Sequence, residues 1–188
     1  GHKKVIFWDN NILASPYWEN IFNELEELNL EVDFNQGIDA RLINPYVAER
    51  LKKLKIPLLR LAYDTLGIRS SLKKAIDTLK EVGFKGRRIL VYCLHNYPSK
   101  KDTAETFLIR TKDLMDWGVV AYPMRYEPLE PRPKNTFVSP YWTSEELEMI
   151  AKARRVIGFG GAFPPYEGLK KKMLKAKNFE KAFELRPV

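Results

Sequence analysis

The chain carries one cysteine, Cys93, and two histidines, His2 and His95, among 188 residues. A single thiol excludes an internal disulfide and any metal site built only on cysteines of this chain, and two histidines leave little for zinc. So few cysteines suit a reducing compartment, and the expected location is the cytoplasm. No uninterrupted apolar run reaches the 18 residues that a membrane-spanning helix needs. Also missing are a Walker loop, G-x-S-x-G, H-E-x-x-H and paired-cysteine zinc signatures, which removes the commonest high-specificity catalytic motifs. The glycines of "GFGG" (158–161) do not follow a strand in the dinucleotide-binding spacing and read as a loop.

What is present is ordinary for a globular domain: 45% hydrophobic and 30% charged residues, enough to bury a core. The formal charge of +8 would favour a polyanionic partner, but 32 basic residues are interleaved with 24 acidic ones and read mainly as solvated helix faces. The chain opens Gly1-His2, without an initiator methionine, and enters an apolar run at once. That opening reads as a piece of a longer protein.

Five short apolar runs, at 4–8, 31–34, 57–62, 88–94 and 119–124, recur every 26 to 31 residues and read as strands. Helical periodicity fills the gaps. Ser15 and Pro16 open a helix over 16–28, Asn44 and Pro45 open one over 45–54, a third over 70–82 stops at Gly83, and a fourth over 102–117 stops at Gly118. Alternation of this kind predicts right-handed β-α-β units and parallel strands. The expected fold is α/β, a partial (β/α) barrel arc of about five parallel strands over 3–131, followed by a C-terminal extension over 132–188. The extension begins in a proline-dense stretch and continues with a helix over 143–155, marked by the capping box Thr143/Glu146. A final basic helix is expected over 169–185.

In parallel α/β folds ligands lie beyond the carboxyl ends of the strands. The first run ends on Asp9, Asn10 and Asn11, which serve equally as a plain turn or as ligand groups. The second leads into "FNQGIDARL" with Gln36, Asp39 and Arg41, where Asp39 and Arg41 also suit a structural ion pair. The third leads through "LRLAYDT" to Asp64. The fourth ends in "VYCLHN", with His95 and Asn96, and the fifth in "PMRYEP", with Arg125, Tyr126 and Glu127. Cys93 lies within its strand and reads as an inert core thiol.

Taken in order, "FWDNNILAS", "VDFNQGIDARLI", "LLRLAYDT", "GRRILVYCLHNYPSKKDTAE" and "YPMRYEPLEP" resemble successive segments of the radical S-adenosylmethionine (radical SAM) superfamily, in particular the branch joined to a cobalamin-binding domain. The likeness spans about residues 3–131. It implies a partial barrel that holds SAM and a 4Fe–4S cluster at its strand ends, with cobalamin supplied by another domain. It further implies that Asp9, Asn10 and Asn11 meet the methionine end of SAM, with Gln36 and Arg41 in the next loop, Asp64 at ribose or substrate, His95 and Asn96 near adenine, and Met124 on the adenine border. The family binds its cluster through a C-x3-C-x2-C loop, and this sequence has no such loop. The expected activity, cleavage of SAM to a 5′-deoxyadenosyl radical, therefore requires a missing cluster-binding segment, and this chain alone is expected to be inactive.

The competing expectation is a non-catalytic module that binds nucleic acid or a partner protein through the basic tail, with Lys170, Lys171 and Lys172 as its centre and Tyr166 and Phe179 nearby. A run at 5–8 exposed as an edge strand would also permit dimerisation.

Overall fold

The computed structural model describes residues 1–130, 133–155 and 167–184. Five strands form where the apolar runs predict them: β1 (Lys4–Phe7), β2 (Glu31–Phe34), β3 (Leu59–Ala62), β4 (Ile89–His95) and β5 (Val120–Arg125). The helices are α1 (Trp18–Leu28), α2 (Pro45–Lys53), α3 (Arg69–Glu81), α4 (Ala104–Asp116), α5 (Ser144–Arg155), α6 (Glu167–Lys175) and α7 (Phe179–Phe183). The fold is α/β.

The strands pair as two small parallel sheets, β1-β2 and β3-β4-β5, rather than as one ladder of five. Between β2 and the chain leading into β3 the pairing is reduced to a bridge at Glu31 and Lys55, with Val32 N–H donating to the Lys55 carbonyl at 2.9 Å. Pro57 follows directly, and a proline has no N–H to extend a ladder. In both sheets hydrogen-bonded neighbours are consecutive in the chain, the order that successive β-α-β units produce.

Local chemistry sets the boundaries. Asn44 accepts from Val47 N–H at 2.9 Å ahead of Pro45, and Thr143 and Glu146 form the reciprocal capping box at 2.8 and 3.1 Å. Gly83 and Gly118 take φ of +103° and +64°, which let α3 and α4 end abruptly. Two expectations are corrected. Ser15 does not cap α1: residues 12–14 form a 3₁₀ turn, and Ser15 instead accepts from Tyr17 N–H at 3.2 Å, so the helix starts at Trp18. The single tail helix is two, because Asn178 caps a new start by accepting from Lys181 N–H at 3.0 Å. The glycines at 158–161 and Tyr166 lie outside the described residues.

The chain divides into two compact units. The first comprises residues 1–62, 67–91 and 117–119. Its core packs Phe22 of α1 on Phe34 of β2, with Val32, Leu51, Leu59, Leu61, Leu72 and Ile76 fully buried. Each such side chain contributes roughly 1.5–3 kcal/mol of hydrophobic stabilisation. The second comprises residues 63–66, 92–116 and 120–188. Its core is aromatic: Phe107 of α4 meets Trp142 and Phe183, and Phe179 stacks on Phe183 with ring centroids 4.4 Å apart. The proline-dense stretch and the helices beyond it belong to this unit, together with α4 and β5.

Within the first unit Gly86 faces Gly118 so closely that a Cβ on residue 86 would overlap the Gly118 carbonyl oxygen. The obstacle is backbone, which cannot rotate away as a side chain would. Gly86→Ala is expected to destabilise the fold by about 2–3 kcal/mol, the upper range for overpacking. Urea denaturation would read it as a lowered midpoint, and an unchanged midpoint would refute the close approach.

Candidate functional site

Alternating residues of a strand point to opposite faces, so each unit's strands offer two surfaces. In the first unit Val32, Phe34, Leu59 and Leu61 are buried. The opposite register carries charge. Lys4 Nζ lies 2.9 Å from Asp33 Oδ2 and 3.3 Å from Glu31 Oε1, and Arg60 pairs with the other Asp33 oxygen. Lys4, Asp33 and Arg60 thus form a ladder across β1, β2 and β3. A small cleft of about 90 Å³ adjoins them, bordered by Pro57 and Leu58. Burial is the largest single influence on the Asp33 carboxyl and pushes its pKa up, but hydrogen bonding and charge from Lys4 and Arg60 together leave it lowered.

At the carboxyl end of β1, Asp9 Oδ1 accepts from Asn11 N–H at 2.7 Å, an Asx turn, while Asn11 Oδ1 accepts from Asp39 N–H at 3.4 Å. Asp39 in turn holds Arg41 through Nε at 2.9 and 3.1 Å and Nη2 at 2.6 Å, and also accepts from Arg41 N–H. The Arg41 hydrogen bond is the main reason the Asp39 carboxyl is held below its ordinary range. The structure therefore joins Asp9, Asn11, Asp39 and Arg41 in one chain of polar contacts, with Asn10 and Gln36 exposed beside it. Turn and ion pair account for most of these bonds; the outer polar surface is what remains to meet a ligand.

In the second unit the expected residues serve different ends. Asn96, fully buried at φ +68°, uses its side chain on the backbone: it donates to the carbonyls of Phe137 at 3.0 Å and Tyr126 at 3.3 Å and accepts from Ser139 N–H at 2.8 Å. It is a clamp on the proline-dense segment. Met124 is exposed, on the opposite register of β5 from Arg125. Asp64 is exposed, yet the protein around its carboxylate desolvates it enough to raise the pKa, against the lowering influence of Arg110 and of the Leu94 backbone. Cys93 is fully buried and burial drives its thiol pKa up to about 12, so it is inert as a nucleophile or thiolate ligand.

His95 shares the face of Cys93 and packs its ring between Phe107 and Trp142, at centroid distances of 5.2 and 5.7 Å. It borders a cavity of about 240 Å³ also lined by Arg125, Asn135 and, from α5, Leu147, Glu148, Ile150, Ala151 and Arg154. Burial foremost, then the charges of Arg125, Arg154 and Arg110, push the His95 pKa down to about 3. The ring is neutral at physiological pH. Arg154 lies over the Tyr122 ring at 4.7 Å, a cation–π contact that fixes its position.

Three participants were not visible in the sequence. Lys4 and Asp33 lie inside apolar runs whose polar members look like solvated positions, and Arg154 looks like one more basic residue of a helix face. Only strand register and the placement of α5 bring them to a site. Among the described residues there is no group of histidine, cysteine, aspartate and glutamate placed to hold a metal ion, and no helix is long and apolar enough to cross a membrane. Comparisons with protein-family models, curated proteins and solved structures returned no match.

Proposed function

We propose that the chain is the barrel portion of a radical SAM enzyme whose chemistry depends on a cluster bound by residues outside this sequence. What supports the reading is the order of its parts: consecutive strands, each followed by polar residues, with Asp64 standing where the superfamily usually has glutamate and His95-Asn96 where it usually has glycine. The chain's own donors do not fit a 4Fe–4S cluster, since its one thiol is buried, strongly protonated and alone. No step through the cluster is assigned to these residues. Their part in this reading is to hold SAM, with the exposed Asn10 and Gln36 and the half-buried Asn11 facing its amino and carboxylate groups. Arg41, tied to Asp39, acts there as an oriented cation rather than a free one.

The test uses the longest natural form of the protein, reconstituted anaerobically with iron and sulfide. The expected result is the absorption of an iron–sulfur cluster and release of 5′-deoxyadenosine from SAM under reduction. Asn10→Ala, at an exposed position, is expected to weaken SAM binding by about tenfold in calorimetry, the worth of one good polar contact. A natural form that acquires no cluster and releases no 5′-deoxyadenosine overturns the reading.

A further inference from the structure

Two side chains that line the cavity of about 240 Å³, His95 and Arg125, each keep a buried polar atom that the protein leaves unused. His95 is 3% exposed, and its Nδ1 is buried without a hydrogen-bond partner among the described residues. The Nε of Arg125 is in the same condition. Folded proteins pair nearly all such atoms, because each one left bare costs about 1–3 kcal/mol. Both atoms belong to side chains that line the same cavity.

The remaining lining defines that partner. Arg125 is held in place by its own Nη2, which donates to the carbonyls of Asn135 at 3.1 Å and Phe137 at 2.7 Å. Its Nε is 3.6 Å from Glu127 Oε1, an ion-pair contact too long to satisfy the N–H. Arg154, set over Tyr122, is the second cation on the wall. Glu148 is the one acidic residue lining the cavity and lies 3.9 Å from Lys152 on its own helix. Leu147, Ile150 and Ala151 add an apolar side. Two guanidinium groups with a neutral imidazole suit an oxyanion, and the apolar side suits a carbon body attached to it.

We propose that this cavity is a binding site for a small organic oxyanion, a carboxylate or phosphate monoester, held by the guanidinium groups of Arg125 and Arg154 with the His95 ring on its wall. The site is independent of SAM binding. His95, Arg125 and Arg154 belong to β4, β5 and α5, and the cavity they line shares no residue with Asn10, Asn11, Gln36 and Arg41, which the SAM reading uses.

With only two histidines in the chain, imidazole NMR reads the site directly. Benzoate, phenyl phosphate, inorganic phosphate and SAM would each be titrated while the His95 and His2 ring resonances are followed. Saturable movement of His95 with His2 still, by benzoate or phenyl phosphate more strongly than by inorganic phosphate, is the expected result, and the stronger of the two names the head group. Arg154→Ala, on the half-buried face of α5, should weaken that binding by about tenfold with the circular dichroism unchanged. No movement of His95 up to about 10 mM of every probe, far weaker than a functional site, overturns the proposal. So does undiminished affinity in Arg154→Ala, or displacement of the organic anion by SAM, which would make the cavity part of the cosubstrate site.

Discussion

Replacing Arg110 by methionine is expected to destabilise the second unit by about 3–5 kcal/mol, the usual consequence of leaving a buried ionic partner alone. Arg110 is 1% exposed, and almost every donor it has is committed. Nη1 donates to three backbone carbonyls, those of Tyr63, Asp64 and Leu94, at 2.8, 2.9 and 2.8 Å. Nη2 meets Asp102 Oδ1 at 2.6 Å, and Nε meets the Thr106 carbonyl at 3.3 Å. One side chain of α4 thus gathers the chain after β3 and the end of β4, the segments that carry Asp64 and His95. Asp102 has a second set of partners, accepting from Tyr97 N–H at 2.7 Å and from Trp142 Nε1 at 3.0 Å. Burial raises the Asp102 pKa, and Arg110 is the chief influence holding it down. Without the guanidinium the carboxylate becomes an unpaired buried charge and three carbonyls lose their donor.

A urea series would measure the loss, and the double variant Arg110→Met/Asp102→Leu separates its causes. Because it removes both charges, the double variant should recover part of the stability lost in the single one. A single-variant loss below about 1 kcal/mol, the scale of an exposed pair, would show that the network is not held as the geometry requires.

Arg110 also shows where the sequence was legible. The five strands and the starts and stops of α2, α3 and α4 follow from short-range rules that the residues state openly: apolar runs of strand length, Asn44 before Pro45, Gly83 and Gly118 after the last apolar position. The division into two sheets was not legible, because it depends on which carbonyl meets which N–H across a gap, and Pro57 announces only that one donor is missing. Side-chain roles were harder still. Arg110 counts in composition as one of the basic residues of a solvated face, yet it is the largest fully buried side chain among the described residues. Asn96, placed near adenine by resemblance, spends its amide on Phe137, Tyr126 and Ser139, residues far along the chain that no local pattern links to it. The tail helix splits because Asn178 finds an N–H to cap, which its position between two apolar stretches did not disclose.

His95 gives the fold a specific sensitivity to acid. Its pKa of about 3 in the folded protein lies below the ordinary 6.5, chiefly through burial, with Arg125 of β5, Arg154 of α5 and Arg110 of α4 adding repulsion and a backbone hydrogen bond at Cys93 opposing them. Glu148 of α5 is the acidic group lining the same cavity. A histidine with a depressed folded pKa stabilises the native state fully above the unfolded value, and that contribution is lost as the pH falls from about 6.5 toward 3. Between pH 7.5 and 5 the expected loss from this one group is about 2 kcal/mol. Asp33 and Asp39, also depressed, add their losses only below the ordinary carboxylate value, whereas Asp64 and Asp102, both raised, add stability as the pH falls toward that value from above. The window above pH 5 is therefore read by difference, with His95→Gln as the reference that isolates the imidazole. Urea midpoints of the parent chain should fall across it, and those of His95→Gln should fall much less, since glutamine has no proton to gain. Equal slopes in the two proteins would mean that the imidazole reaches water in the folded state, contrary to its burial between Phe107 and Trp142. A saturating oxyanion in the cavity would favour the charged ring and should flatten the parent's slope toward that of the variant, so the same titration reports on the occupant as well as on the proton.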